Sequence, residues 1–152
     1  MELETEEPVA MVLAVDKCPE CSNNHLDLSS SAFAQIANPT AGIIDISIQP
    51  IRCPTKGNIV IRIDSGANPN YFAIFIQNVG GAGSVKLIEA NGGSGWQKMT
   101  QLWGVNWVLN ARTPGPVSLR VTASDGKQVT LNNCVPANWK AGSSYTCNGQ
   151  FS

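Results

Sequence analysis

No stretch of this sequence approaches the roughly 18 consecutive apolar residues that a membrane-spanning helix needs. The longest apolar runs, such as Val9 to Val15, are short or interrupted, so a membrane partner is not expected. Charge is sparse too. Charged residues make up 14% of the chain, the net charge is −1 and the pI is near 5.7. That balance offers no basic field to hold a phosphate backbone, so nucleic acid is not expected and a neutral partner fits better. Histidine occurs once, at His25, and Pro39 blocks the one near-match to a glycosylation acceptor, Asn38-Pro39-Thr40. The opening Met1 to Glu7 is acidic where an export signal carries basic residues and then an apolar core, so no signal peptide is visible.

The chain does have enough apolar residues, 43% of 152, to bury a core, and enough length for one ordinary domain plus part of another. Fourteen glycines and nine prolines punctuate short apolar runs, which is the pattern of many brief strands and few helices. The expected class is therefore all-β. A break in pattern at Pro54-Thr55-Lys56-Gly57 places a domain boundary there, giving expected domains 1–54 and 55–152.

Beyond the break, Ile59, Ile61 and Ile63 alternate with Val60, Arg62 and Asp64, and Phe72, Ile74 and Ile76 alternate with Tyr71, Ala73, Phe75 and Gln77. Val85 and Leu87 oppose Ser84 and Lys86; Val117, Leu119 and Val121 oppose Ser118, Arg120 and Thr122; Val129 and Leu131 oppose Gln128 and Thr130. Each run reads as a half-buried strand, and Ser124-Asp125-Gly126 supplies a hairpin turn between the last two. About seven or eight such strands suit a two-sheet, immunoglobulin-like sandwich.

The first 54 residues read as a strand at Val9 to Val15, a loop with Cys18 and Cys21, a short helix near Ser30 to Ala37 and a strand from Ile43 to Ile51. Ser29 is the expected N-cap, and Asn38-Pro39 the stop. Cys18-Pro19-Glu20-Cys21 has half of a zinc motif, but no second pair follows and His25 is alone, so no metal site is expected. Five cysteines favour disulfides and leave one over. The expected pairs are Cys53 with Cys18 or Cys21, and Cys134 with Cys147.

Two residue sets carry possible function. Tyr71 and Trp103 are aromatics at strand and turn positions in a weakly charged chain, and the apolar face of a sugar ring stacks on such rings at about 1–2 kcal/mol each. Tyr71 falls opposite Phe72, Ile74 and Ile76; Trp103 precedes Gly104, where the chain can turn so that Trp103 faces out and Trp107 in. The plain alternative for any tryptophan is core packing, and Phe75 on the same face as Tyr71 suggests that face is covered. The second set is Asp16 and Asp27, flanking the cysteine loop. Paired carboxylates are the minimum for glycosidic hydrolysis, while the plain alternative is a helix cap and a strand end.

The string from Asn68 to Gly83, with Gly95-Trp96, Trp103-Gly104-Val105-Asn106-Trp107 and Val135-Pro136-Ala137-Asn138-Trp139-Lys140 in the same order, resembles the second domain of expansins, proteins that loosen plant cell walls without cutting them. Val15-Asp16-Lys17-Cys18-Pro19-Glu20-Cys21, His25-Leu26-Asp27-Leu28-Ser29 and Ala32-Phe33 resemble the close of an expansin first domain, a six-stranded double-psi barrel akin to family 45 glycoside hydrolases. The resemblance implies an incomplete barrel fragment with one short helix before a complete β-sandwich. It implies Tyr71 and Trp103 as the polysaccharide-binding pair, structural roles for Trp96, Trp107 and Trp139, and groove carboxylates at Asp27, which matches the aspartate needed for loosening, and Asp16 beside it. Leu26 stands where many plant members have phenylalanine, and Asn70 where bacterial relatives have an aromatic.

Expansins lack the catalytic base of the hydrolases, so the resemblance implies a non-enzyme that needs no cofactor. It implies a monomer in the extracellular cell wall, binding cellulose, a related β-glucan or xylan. Two other readings are kept: a family 45-like hydrolase fragment, which would release reducing sugar in an Asp27-dependent way, and a protein-interaction β-sandwich.

Overall fold

The structure, a computed structural model, describes residues 7–152. The chain divides into two compact units, one ending at Pro50 and one running Ile51–Ser152. The net charge divides with them. The second unit carries nine lysines and arginines against three carboxylates, and the first carries one lysine against eight. A near-neutral total thus conceals a sandwich at +6, and the expectation that no basic field exists is corrected for that unit.

In the first unit one helix forms, α1 (Ser30–Phe33), with the Ser29 hydroxyl accepting from the Ala32 N–H at 3.4 Å. A 3-10 turn, Pro39–Ala41, follows, and the Asn38 side chain accepts from the Thr40 N–H at its start. The expected strands at Val9 to Val15 and Ile43 to Ile51 do not form. A strand exists only through a neighbour that completes its hydrogen bonds, and neither stretch has one among the described residues. Apolar side chains are left in solvent as a result: Val9 is 82% and Ile43 81% exposed, while Ala32 is the only buried residue of the described part of this unit.

The second unit is a two-sheet sandwich. Its strands are β1 (Val60–Ile63), β2 (Phe72–Gln77), β3 (Val85–Asn91), β4 (Gln97–Lys98), β5 (Thr100–Trp103), β6 (Asn106–Leu109), β7 (Val117–Ala123), β8 (Gln128–Val135) and β9 (Ser144–Thr146). One sheet has the order β5-β6-β2-β1-β9 and the other β4-β3-β7-β8, with every strand pairing among the described residues antiparallel. Ile61, Ile63, Phe72, Ile74, Leu119, Val121 and Leu131 are fully buried between the sheets, as the alternation requires. Burying each such side chain contributes about 1.5–3 kcal/mol.

One strand departs from its expected pattern. In β3 the buried residues are Ile88 and Ala90 and not Val85 and Leu87, because a bulge between Val85 and Leu87 shifts the register against β7. An extra residue in a strand reverses which side chains face inward. The β7–β8 hairpin turns where expected, with Gly126 at φ +85° and the Asp125 carboxylate accepting from the Lys127 N–H.

The cysteines correct part of the reading. Cys18 pairs with Cys21, Cys134 pairs with Cys147, and Cys53 is free. Cys53 lies in the second unit, where its N–H donates to the Gly81 carbonyl at 2.9 Å, so its partner is a backbone bridge and not the loop cysteines. The Cys134–Cys147 bridge joins β8 of one sheet to the end of β9 in the other.

Gln150 closes the end of the sandwich. Its Oε1 accepts from the N–H groups of Gly80 and Phe151, and its Nε2 donates to the carbonyls of Gly57 and Asn78. One side chain thereby fixes the chain entering β1, the loop after β2 and the C-terminal segment.

Candidate functional site

The outer face of the β5-β6-β2-β1-β9 sheet follows from its register. Phe72, Ile74 and Ile76 point into the core, so Phe75 and Ala73 point out. Phe75 pairs with Asn106 on one side and Arg62 on the other; Asn106 pairs with Trp103, and Arg62 with Ser144. Trp103, Asn106, Phe75, Arg62 and Ser144 therefore form one continuous row across all five strands.

Trp103 is 37% exposed while Trp107, four residues on, is 3% exposed. The inversion occurs at Gly104, where φ is +47°, and at a bulge between Gln101 and Trp103. The Gln101 side chain holds this corner by donating to the Gly104 carbonyl at 2.6 Å. Trp103 meets Phe75 with ring centroids 5.8 Å apart and planes 58° apart. Phe75 is half-buried and serves as the ledge on which Trp103 leans. The expectation that Phe75 signals a covered face is met only beside the rings, where Ala73 and Val108 are buried.

Asn106 is 95% buried within this row, and its Oδ1 has no hydrogen-bond donor. Leaving such an acceptor unpaired costs about 1–3 kcal/mol. Sequence reading missed both Phe75 and Asn106 as partners of Trp103, since only the register brings them together.

Tyr71 stands one residue before β2 on the same outward parity as Ala73 and Phe75, fixed by a reciprocal backbone pair with Asn68. It is half-buried against the core cluster, and its hydroxyl makes no hydrogen bond among the described residues. At ~3.3 Å per residue it lies about 13 Å along the strand from Phe75, so it marks the far end of the face and does not touch the Trp103 corner.

Trp96 and Trp139 divide. Trp139 packs edge-on to the buried Phe72 at 5.6 Å, and its Nε1 donates to the Thr113 carbonyl at 3.3 Å, which is a structural role. Trp96 is 37% exposed, the same as Trp103, and lies under the guanidinium of Arg120.

In the first unit Asp27 lines a hollow of about 330 Å³ with His25, Phe33, Ile36 and Ile44, whereas Asp16 is not among its lining residues. The Asp16 carboxylate instead accepts from the Lys17 N–H at 2.7 Å. The structure thus does not bring the two carboxylates to one hollow. Cys18 and Cys21 are joined to each other, which removes the thiolates of the zinc alternative, and no group of three or more His, Cys, Asp or Glu side chains among the described residues is arranged to hold a metal. No helix among the described residues is long and apolar enough to cross a membrane.

Comparison with known proteins adds to this geometry. Residues 59–136 match the model of the expansin C-terminal domain, and residues 3–48 match a lytic transglycolase family model. Expansin-B11 of Oryza sativa subsp. japonica is 37% identical over 90% of this chain and 52% of its own length. A putative expansin-B2 of Arabidopsis thaliana is 35% identical over 97% of this chain and 59% of its own. The chain therefore spans about half the length of the curated relatives it matches. Among solved structures, the apo expansin of Clavibacter michiganensis superimposes with a TM-score of 0.73 at 27% identity, covering 90% of this chain and 65% of that one. A D78N variant of the same bacterial expansin, solved in complex with cellohexaose, superimposes with a TM-score of 0.69 at 24% identity and covers 90% and 65%, a likeness of fold. By its sandwich, its strings of aromatics and these matches, the chain belongs to the expansin family.

Proposed function

We propose that the β-sandwich binds cellulose or a related β-glucan on the Trp103 row, with Tyr71 at its far end, and that the protein acts on wall polysaccharide by binding and not by cutting. The observation that carries this reading is the exposed Trp103 ring beside the buried, donorless Oδ1 of Asn106. A glucan supplies C–H faces for the indole and hydroxyls for the exposed polar groups of the row. Arg62 and Ser144 continue the row with further hydrogen-bonding groups. Family membership supports a cell-wall setting, and the Cys134–Cys147 bridge fits an oxidising compartment. The reading needs no cofactor and treats the protein as a monomer; xylan is a further polymer within the same chemistry.

A family 45-like hydrolase is the second reading, favoured by the match of residues 3–48 and by Asp27 in its hollow. It separates cleanly from the first. Trp103→Ala and Tyr71→Ala each lower retention on insoluble cellulose if binding is the function, and unchanged retention in both removes the proposal. Asp27-dependent release of reducing ends from soluble glucan establishes the hydrolase instead.

A further inference from the structure

Trp139 is tied to the chain on both sides of Tyr71. After Tyr71, the Trp139 ring meets the Phe72 ring edge-on at 5.6 Å. Before it, the link runs through one peptide: Trp139 Nε1 donates to the Thr113 carbonyl at 3.3 Å, and the Thr113 N–H donates to the Pro69 carbonyl at 2.6 Å. Thr113 is 1% exposed, so water does not stand in for either partner.

The register explains this meeting. Phe72 pairs with Leu109, which puts the chain entering β2 beside the connection 110–116 that leaves β6. Within the turn 68–71, Asn68 and Tyr71 exchange backbone bonds and the Asn68 carboxamide accepts from the Asn70 N–H at 3.0 Å. These bonds shape the turn but do not place it. Among the described residues, the bond from Thr113 is the only hydrogen bond that joins 68–71 to another part of the chain.

Thr113 is itself boxed in. Its Oγ1 donates to the Ala111 carbonyl at 3.0 Å, and Gly92, in the turn after β3, lies so close that a Cβ there would stand 2.9 Å from Thr113 Cγ2 and 3.3 Å from its Cα. Trp139 is held too, since its N–H donates to the Pro136 carbonyl and the N–H of Lys140 to the Tyr145 hydroxyl at 3.1 Å. A buried carbonyl that loses its donor is left unpaired unless its peptide moves. Any such movement at Thr113 passes to Pro69.

We propose that Trp139 is a positioning residue for the glucan-binding face: through the Thr113 peptide it fixes the turn 68–71, and with it the height and tilt of the Tyr71 ring. This role rests on the reading of Tyr71 as one end of that face. A ring set in advance gives up less freedom when a sugar stacks on it, so Trp139 contributes to binding as well as to the fold.

The test uses the full chain, with binding isotherms on insoluble cellulose and a two-dimensional spectrum of the free protein. Trp139→Phe keeps a ring against Phe72 and removes the Nε1 donor. It is expected to shift the resonances of Asn68, Asn70 and the Tyr71 ring while leaving the Trp103 indole in place, and to weaken retention about threefold to fivefold. In a Tyr71→Ala background the same change is expected to weaken retention by less than about twofold, and in a Trp103→Ala background to keep its full effect. Gly92→Ala presses on Thr113 from a third segment and is expected to reproduce this pattern, so it carries the test if Trp139→Phe fails to fold. An equal loss with and without Tyr71 shows that Trp139 serves the fold alone and overturns the role, as do unmoved Tyr71 resonances in the folded variants. If Tyr71→Ala by itself leaves retention unchanged, the glucan reading of Tyr71 is what fails, and the positioning role falls with it even where the resonances shift.

Discussion

Trp103 and Phe75 meet at 5.8 Å although β6 runs between their strands, and the residue they reach across is Asn106, whose carboxamide oxygen lacks a donor. The ring that faces solvent is therefore positioned by a second ring, and the gap between their strands ends in a hydrogen-bond acceptor. A solvent-facing ring and a buried carboxamide sit in the same row.

Phe75→Ala removes the ledge under Trp103. We expect retention on insoluble cellulose to fall about threefold to tenfold, with a loss of stability of about 1–3 kcal/mol from half-buried apolar area. Binding isotherms and chemical denaturation of the same preparation separate the two effects. A variant that loses stability but keeps full retention shows Phe75 to be packing alone.

Asn106→Leu replaces an unpaired buried acceptor with an apolar side chain of similar size. The free protein is expected to be as stable as the parent or more so, by up to about 1–2 kcal/mol, while glucan binding weakens. Thermal unfolding with and without soluble oligosaccharide reads both; a loss of stability in the free protein shows that Oδ1 is already paired.

Acid sensitivity follows from Glu89. The hydrogen bond from Arg120, aided by the charges of Arg120 and Lys98, holds its carboxyl below the ordinary value of 4.5. A carboxylate whose folded value is depressed adds stability above its unfolded value and loses that contribution as pH falls through the folded one. Glu89→Gln is therefore expected to flatten the stability profile below about pH 4.5, with little slope difference above pH 6. Urea midpoints across pH 3 to 7 measure it; parallel profiles contradict the assignment.

The two disulfides differ in what they restrain. Cys134–Cys147 closes a separation of 13 residues and ties the sheets, while Cys18–Cys21 spans 3. Replacing both Cys134 and Cys147 by serine is expected to cost the sandwich about 2–3 kcal/mol, and the same change at Cys18 and Cys21 to leave its unfolding midpoint in place. Denaturant titration followed by tryptophan fluorescence reads the sandwich directly, since all four tryptophans lie in it.

Much of the sandwich is legible in the alternation of Ile59 to Ile63, Phe72 to Ile76 and Val117 to Val121, because one buried face imposes a period of two. The inversion from Trp103 to Trp107 is partly legible from Gly104, while the bulge between Gln101 and Trp103 that goes with it belongs to the pairing with β6. Ile88 is not, because the bulge that turns it inward is a property of pairing with β7 and leaves no mark in β3 itself. Nor is the Trp103–Asn106–Phe75 row, whose members come from three strands and share a face only through register. The exposure of Trp96 is not legible in the resemblance, which carries residue identity alone; the Gly92-Gly93-Ser94-Gly95 turn before it is the local sign of a side chain lifted to the surface. The strands expected at Val9 to Val15 and Ile43 to Ile51 show the converse limit, that a β pattern without a pairing partner is not a strand.

Four indole N–H signals make the central claim measurable in one experiment. In a two-dimensional spectrum of the chain titrated with cellohexaose, the account predicts a progressive shift of the Trp103 indole and the Asn106 side-chain amide, with the buried Trp107 and the packed Trp139 unmoved. A titration that saturates without moving Trp103, or that moves only Trp96, contradicts it.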